Sequence, residues 1–204
     1  MASEPSITTL KELRAAEARC TRCPLYKDAT QVVSGEGRAH AQLMLVGEQP
    51  GDKEDLVGRP FVGPAGLLLD RALEEAGIDR DDTFVTNAVK HFKFEPRGKK
   101  RLHKRPNQYE IERCRWWNDF ERMIVKPKLI IALGVTAASS LMQRPITISK
   151  VRGTILTKSD GDRVAVTIHP SALLRITDVD DKAREYDNFV DDLRECAKFL
   201  KKVA

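Results

Sequence analysis

Three short runs of almost uninterrupted apolar residues constrain the fold of this chain most: Leu43-Met44-Leu45-Val46, Leu129-Ile130-Ile131-Ala132-Leu133 and Val164-Ala165-Val166-Thr167-Ile168. A strand with one wet face alternates apolar and polar residues, whereas a strand covered on both faces has no reason to alternate. Thr83-Phe84-Val85-Thr86 reads as a further strand. Between these runs lie stripes of helical period. Leu10, Leu13 and Ala16 share a face over residues 7–19, and Leu67, Leu68, Ala72, Leu73 and Ala76 share one over 64–76, with Pro64 as first residue and Gly77 as stop. Asn107 and Glu110 form a capping box that starts a helix to about residue 124. Residues 135–142 read as a short helix, 146–160 as a β excursion and 181–201 as a closing helix, while the glycine- and proline-rich stretch 47–64 reads as loop. Strands alternating with helices give right-handed crossovers. The expected architecture is therefore α/β, a three-layer α/β/α sandwich around a central, mostly parallel sheet.

A chain of 204 residues suffices for one domain, 1–204, burying about 70% of the surface its unfolded form exposes. No repeat or low-complexity tract breaks it. No stretch approaches the roughly 20 apolar residues of a membrane span, and Met1-Ala2-Ser3-Glu4-Pro5 lacks the basic-then-apolar plan of a leader. The expectation is a cytoplasmic, nucleoid-associated protein with no membrane partner and no obligate protein partner.

Charge is concentrated. The net formal charge is +5, yet residues 90–105 hold eight Lys and Arg against the single Glu95, so the remainder of the chain is mildly acidic. A basic insertion at about 91–106 on a near-neutral body fits a localised polyanion contact such as a phosphodiester backbone; charge alone fits a solvated loop as well.

Four cysteines carry separate readings. Cys20 and Cys23 have metal-site spacing, which a redox pair shares; Cys114, inside a helix, and His91, at the head of the basic segment, can join them only by folding. Thiolates suit zinc or iron-sulfur equally. Cys196 falls on the apolar face of the last helix with Phe189, Leu193 and Leu200, and reads as a buried hydrophobe.

Open α/β sheets bind ligands beyond the carboxyl ends of their strands. Gly47-Glu48-Gln49, Asn87 and His169-Pro170-Ser171 occupy such ends. By residue type alone each has a structural alternative: Asn87 as a strand-end turn residue, His169 as a satisfied histidine, Phe61 as a core residue in a tight loop.

Four ordered motifs, Gly47-Glu48-Gln49-Pro50-Gly51, Gly58-Arg59-Pro60-Phe61-Val62-Gly63-Pro64-Ala65-Gly66, Thr86-Asn87-Ala88-Val89-Lys90 and His169-Pro170-Ser171, make the chain resemble the uracil-DNA glycosylase superfamily over roughly residues 10–200, and in particular its family 4 iron-sulfur enzymes. Where those enzymes usually carry a fourth cysteine this chain has His91, and Gly98-Lys99-Lys100-Arg101-Leu102-His103-Lys104-Arg105-Pro106 is similar to the basic loop of the X subfamily, whose members excise uracil and remain covalently bonded to DNA through a loop histidine. The resemblance implies a [4Fe-4S] cluster on Cys20, Cys23, His91 and Cys114. It implies His103 as the covalent nucleophile, Glu48 orienting it and favouring the cationic sugar, and His169 stabilising the departing base. Phe61 would stack on uracil, Asn87 would read its O4 and N3-H edge, and Gly47 would complete the base pocket. Gln49, counted with the catalytic and substrate-binding residues, would shape the pocket through hydrogen bonds rather than move protons. Lys100, Arg101, Lys104, Arg105 and Ser171 would contact the backbone of uracil-containing DNA, single-stranded or, with the base flipped, double-stranded, a choice the sequence leaves open. A hydrolytic glycosylase with turnover, and a non-catalytic metal-stabilised nucleic-acid-binding module, are the alternatives.

Overall fold

The computed structural model describes residues 7–203. Met1-Ala2-Ser3-Glu4-Pro5 and the two ends of the expected 1–204 domain lie outside the described residues. In chain order the elements are α1 (Leu10–Glu17), β1 (Glu36–Gly37), β2 (Leu43–Gly47), α2 (Asp52–Val57), α3 (Pro64–Glu75), β3 (Thr83–Asn87), β4 (Phe94–Arg97), β5 (Lys100–His103), α4 (Gln108–Val125), β6 (Leu129–Leu133), α5 (Val135–Met142), α6 (Ile148–Val151), β7 (Ile155–Thr157), β8 (Arg163–Thr167), α7 (Pro170–Leu173) and α8 (Val179–Val203).

The apolar runs form the sheet, in the order β1-β3-β2-β6-β8-β7. Its four inner strands are parallel, and the short edge strands β1 and β7 are antiparallel to their neighbours. Successive side chains of a strand point to opposite faces. Leu43 and Leu45 accordingly join α3 and α8 through Leu69, Leu73, Phe189 and Leu193, while Met44 and Val46 join α5 through Ala137 and Leu141. This places helices on both sides of a mostly parallel sheet, as the uninterrupted runs required. Cys196 packs in the first of these layers beside Phe189 and Leu193, and burial pushes its thiol up to about 12. Asn107 and Glu110 cap α4 reciprocally at 2.9 and 2.7 Å.

Three segments differ from expectation. The stretch 47–64 contains the short helix α2, whose Glu54 side chain reaches back to accept the Gly51 amide at 3.1 Å. Residues 146–160 hold α6 before the edge strand β7. The basic segment is an antiparallel hairpin, β4 against β5, pairing Phe94 with His103.

Behind β3 lies a polar core. Glu17 of α1 is 1% exposed, beside Lys90 and Glu121. Burial pushes its carboxyl up to about 7, against the pull of Lys90 and with the added push of Glu121. The folded protein thus keeps a proton that the unfolded chain gives up above its ordinary value near 4.5, and the associated stability is lost as pH rises through 7. Glu17→Gln is expected to stabilise the fold at pH 8 by on the order of 1–3 kcal/mol, seen as a raised melting temperature, and to leave stability nearly unchanged at pH 4 to 5. Thermal unfolding of the two proteins across that pH range measures the effect.

Candidate active site

Register brings the strand ends together. Gly47 pairs with Asn87 across β2 and β3, and the Val89 amide continues the ladder to the Glu48 carbonyl at 3.0 Å. Beyond these ends opens a cavity of about 780 Å³ whose lining includes Glu48, Gln49, Phe61, Asn87, His103 and His169. Ser171 also lines it.

Close approach at Gly47 shapes the base of the cavity. A Cβ there would stand 2.4 Å from Asn87 Oδ1 and 2.7 Å from Phe61 Cζ, so only glycine lets the amide and the ring flank the strand end. Phe61 itself sits at φ +57°, a left-handed conformation costly for a bulky residue. Gly66 permits that turn, since a Cβ on it would lie 1.7 Å from the Phe61 carbonyl oxygen. Glu54 secures the same loop by accepting the Gly63 amide at 2.9 Å. The Phe61 ring then stacks near His169, with centroids 5.9 Å apart and planes 29° apart.

His169 precedes α7 and accepts the Ser171 amide on Nδ1 at 3.1 Å, with Ser171 Oγ 2.8 Å from the same atom. Burial lowers its pKa to about 4, with Arg175 and His103 acting in the same direction. The ring is therefore uncharged at neutral pH, and an accepting Nδ1 leaves the proton on Nε2.

Asn87 is held by its main chain. Its carbonyl accepts Asn118 Nδ2 at 3.0 Å and Lys90 Nζ at 3.2 Å. Lys90 is fully buried, bonded to Thr86 Oγ1 and to both Glu121 oxygens at 2.7 Å. Asn118 also donates to Glu121 at 2.9 Å. The Asn87 amide group is left facing the cavity.

The hairpin delivers His103 from the opposite side. Gln49 staples its base: Nε2 donates to the carbonyls of Lys104 at 3.0 Å and Lys93 at 3.2 Å, and Oε1 accepts the Lys93 amide at 3.1 Å. Arg101 clamps it to α2, donating to Asp52 and to fully buried Asp55 at 2.6 Å each, with the guanidinium over the Phe94 ring. Lys104 pairs with Glu95 at 2.6 Å, and Lys100 is exposed at the start of β5. The His103 side chain, 49% exposed, has Nε2 3.5 Å from Glu48 Oε1. Glu48 Oε2 accepts the hydroxyl of Thr136, and Arg105 Nε lies 3.8 Å from the same oxygen. Gln49→Ala is expected to cost about 1–3 kcal/mol, because it strands the Lys93 amide and the Lys104 carbonyl at the hairpin base, while the Lys93 carbonyl keeps the Lys104 amide at 2.9 Å. Amide exchange at Lys93, followed by NMR, is expected to accelerate at least about tenfold while the sheet interior stays protected.

The expected [4Fe-4S] cluster is corrected. Among the described residues no group of three or more His, Cys, Asp or Glu side chains is arranged to hold a metal ion. Cys20, Cys23 and Cys114 are free, buried thiols in an apolar cluster with Leu13, Leu25, Val89 and Trp117. Cys20 Sγ accepts the Trp117 indole N–H and Cys114 Sγ the Lys90 amide, each at 3.1 Å. Burial raises the pKa of the Cys23 thiol and pushes that of Cys114 up to about 12. Burial likewise lowers the pKa of His91.

Sequence reasoning missed Thr136, the Lys90–Glu121–Asn118 support and the Asp52/Asp55 clamp. A signal existed for Thr136: β6 ends at Leu133, and the same rule that flags the ends of β2 and β8 flags the residues after it. The others are partners found only across 31 to 49 residues of chain.

Residues 34–194 match the family model described as the uracil DNA glycosylase superfamily. The chain is similar to a protein of Thermotoga maritima named type-4 uracil-DNA glycosylase, 38% identical over 186 residues that cover 90% of this chain and 91% of that one. A type-4 uracil-DNA glycosylase of Pyrobaculum aerophilum is 38% identical over 173 residues, covering 81% and 85%. A DNA polymerase of Bacillus phage SP01 is 29% identical over 169 residues, covering 82% of this chain but 17% of the polymerase.

Proposed function

Since this chain belongs to the uracil DNA glycosylase superfamily, we propose that it cleaves the N-glycosyl bond of uracil in DNA and stays joined to C1′ of the sugar through His103. The observation that carries this reading is His103 at the lip of the cavity floored by Asn87 and Phe61, its Nε2 3.5 Å from the Glu48 carboxylate.

Each residue has a task that its surroundings suit. Asn87 offers one donor and one acceptor, which match uracil O4 and N3-H; cytosine presents the reverse pattern and leaves both sides unpaired. Phe61 stacks on the pyrimidine. The uncharged His169 donates from Nε2 to uracil O2, where negative charge grows as the C1′–N1 bond breaks. Glu48 favours the positive sugar.

The bookkeeping of the trapping step closes within the site. The C1′–N1 electron pair leaves with uracil, and an unprotonated His103 ring nitrogen gives its lone pair to C1′. The imidazolium so formed, beside Glu48, sheds the proton on its other nitrogen, and uracil anion takes up one proton. No oxidant or reductant takes part. Because the hairpin is tied by Gln49 and Arg101, the ring reaches the sugar without a search, and such tethering can exceed the effective concentration of competing water by orders of magnitude.

Lys100, Lys104 and Arg105 contribute phosphate contacts, so binding weakens with salt. Arg101, engaged with Asp52 and Asp55, serves DNA chiefly by holding the hairpin. Single-stranded DNA is the preferred substrate because it presents uracil without unpairing; a duplex needs the base flipped. The protein works on DNA in the cytoplasm and its nucleoid.

Mixing the protein with a uracil-containing single-stranded oligonucleotide and running a denaturing gel tests the proposal. The expected product is a protein–DNA species that survives heat and detergent, absent with a thymine control. Free abasic DNA with multiple turnovers would leave only the hydrolytic glycosylase, and no uracil release at all would leave a binding module.

A further inference from the structure

Resting on the reading of Glu48 and His103 above, we propose that Thr136 is a positioning residue that fixes the Glu48 carboxylate for its work at the sugar. Thr136 is the second residue of α5, follows the end of β6, and is 2% exposed. Its hydroxyl meets two partners of opposite character. Arg105 Nε can only donate, and it donates to Thr136 Oγ1 at 3.2 Å. The hydroxyl proton is thereby left for Glu48 Oε2, which can only accept.

The carboxylate is divided between two duties. Oε2 takes the Thr136 hydroxyl, and Oε1 faces His103 Nε2 at 3.5 Å. Rotation about the last bond of a glutamate is broad, so a carboxylate held at neither oxygen samples many orientations. Anchoring one oxygen fixes the direction of the other. The N-terminal end of α5, with its unpaired amides, favours negative charge at the same place. A hydroxyl serving only the helix would turn to its own backbone or to water. This one is buried against the carboxylate that follows the end of β2, 88 residues earlier in the chain.

Thr136→Val keeps the shape of the side chain and removes the hydroxyl, whereas Thr136→Ser keeps the hydroxyl. In Thr136→Val the rate of adduct formation on uracil-containing single-stranded DNA is expected to fall about 10- to 100-fold, less than the roughly 100- to 1000-fold lost with a donor that touches the reacting charge itself, because Thr136 acts through Glu48. A larger share of the excised sites is expected as free abasic DNA, because a loosened Glu48 no longer steers His103. Affinity for an oligonucleotide carrying 2′-fluoro-deoxyuridine, which resists bond cleavage, and the melting temperature are expected to stay near wild type. Thr136→Ser is expected to recover the rate to within about threefold. A wild-type rate and product ratio in Thr136→Val, or a serine variant as slow as the valine one, overturns the inference. Should the wild-type protein release uracil with no adduct, the His103 assignment alone fails. The valine-to-serine comparison of uracil release then decides the role of Thr136, since Glu48 faces the cationic sugar in either mechanism.

Discussion

His103→Ala is expected to abolish the heat-stable protein–DNA species and to release free abasic DNA instead. The substitution leaves Asn87, Phe61 and His169, the groups assigned to reading the base and stabilising its departure, untouched. It removes only the nucleophile, a half-exposed ring on the rim. Water can then occupy the space beside Glu48 and attack C1′. Tethered groups reach effective concentrations of about 10⁵ M or more in favourable cases, so loss of the ring is expected to lower adduct yield by at least about 100-fold. The hairpin itself is expected to survive, since Gln49 and Arg101 hold it without help from the imidazole. Two lanes of one gel measure both quantities, the slow-migrating adduct and the alkali-cleaved abasic strand. A persistent adduct in His103→Ala would place the nucleophile elsewhere, and loss of uracil release together with the adduct would give His103 a part in the first bond cleavage.

How much of this was legible in the chain depends on what local chemistry dictates. The inner strands were readable because burial on both faces forces continuous apolar runs such as Leu129 to Leu133, and no other element of that length needs them. The helix from Pro64 was readable from its first residue, but its stripe only in part: Ala72 and Leu73 are buried as expected, whereas Leu67 faces outward and Leu69 takes the buried position. The hairpin was not. Phe94-Glu95-Pro96-Arg97 and Lys100-Arg101-Leu102-His103 bury little, so their alternation is masked by charge. What holds them is Arg101 against Asp52 and Asp55, partners on a separate helix. That helix, α2, was hidden too, being six residues flanked by Gly51 and Gly58.

The candidate site divides along the same line. Glu48, Asn87 and His169 stand at or just beyond strand ends, where α/β topology itself converges them on one cavity. Cys20 and Cys23 lie close in sequence, but spacing reports proximity and not ionisation. In the folded chain the thiols of Cys20, Cys23 and Cys114 enter an apolar cluster, and among the described residues no group of three or more potential ligands is arranged to hold a metal ion. Supporting residues such as Thr136 and Glu121 carry no local mark, because their work is defined by what they touch.

Glu121→Ala is expected to be among the most destabilising single changes in the protein. It leaves the Lys90 ammonium fully buried with only Thr86 Oγ1 and the Asn87 carbonyl as close partners, and unpairing a buried charge costs about 3–5 kcal/mol. Asn118 loses the same carboxylate, so both donors to the Asn87 carbonyl are disturbed together. Glu17 is the remaining carboxyl nearby; freed from the push of Glu121, it ionises more easily and recovers part of the loss. Adding Glu17→Gln to Glu121→Ala is therefore expected to deepen the destabilisation at pH 8, the reverse of its effect in the wild-type background. Replacing Lys90 by Met and Glu121 by Leu together removes both charges and is expected to be far milder than Glu121→Ala alone, since apolar replacements of buried pairs are often neutral. Denaturant unfolding of the singles and doubles gives the coupling directly. A Glu121→Ala cost below about 1 kcal/mol would show that the pair is not the desolvated unit its burial indicates. The double replacement carries a second readout: with the ammonium gone, the Asn87 carbonyl loses a donor, and discrimination of uracil from cytosine is expected to relax even where the melting temperature does not.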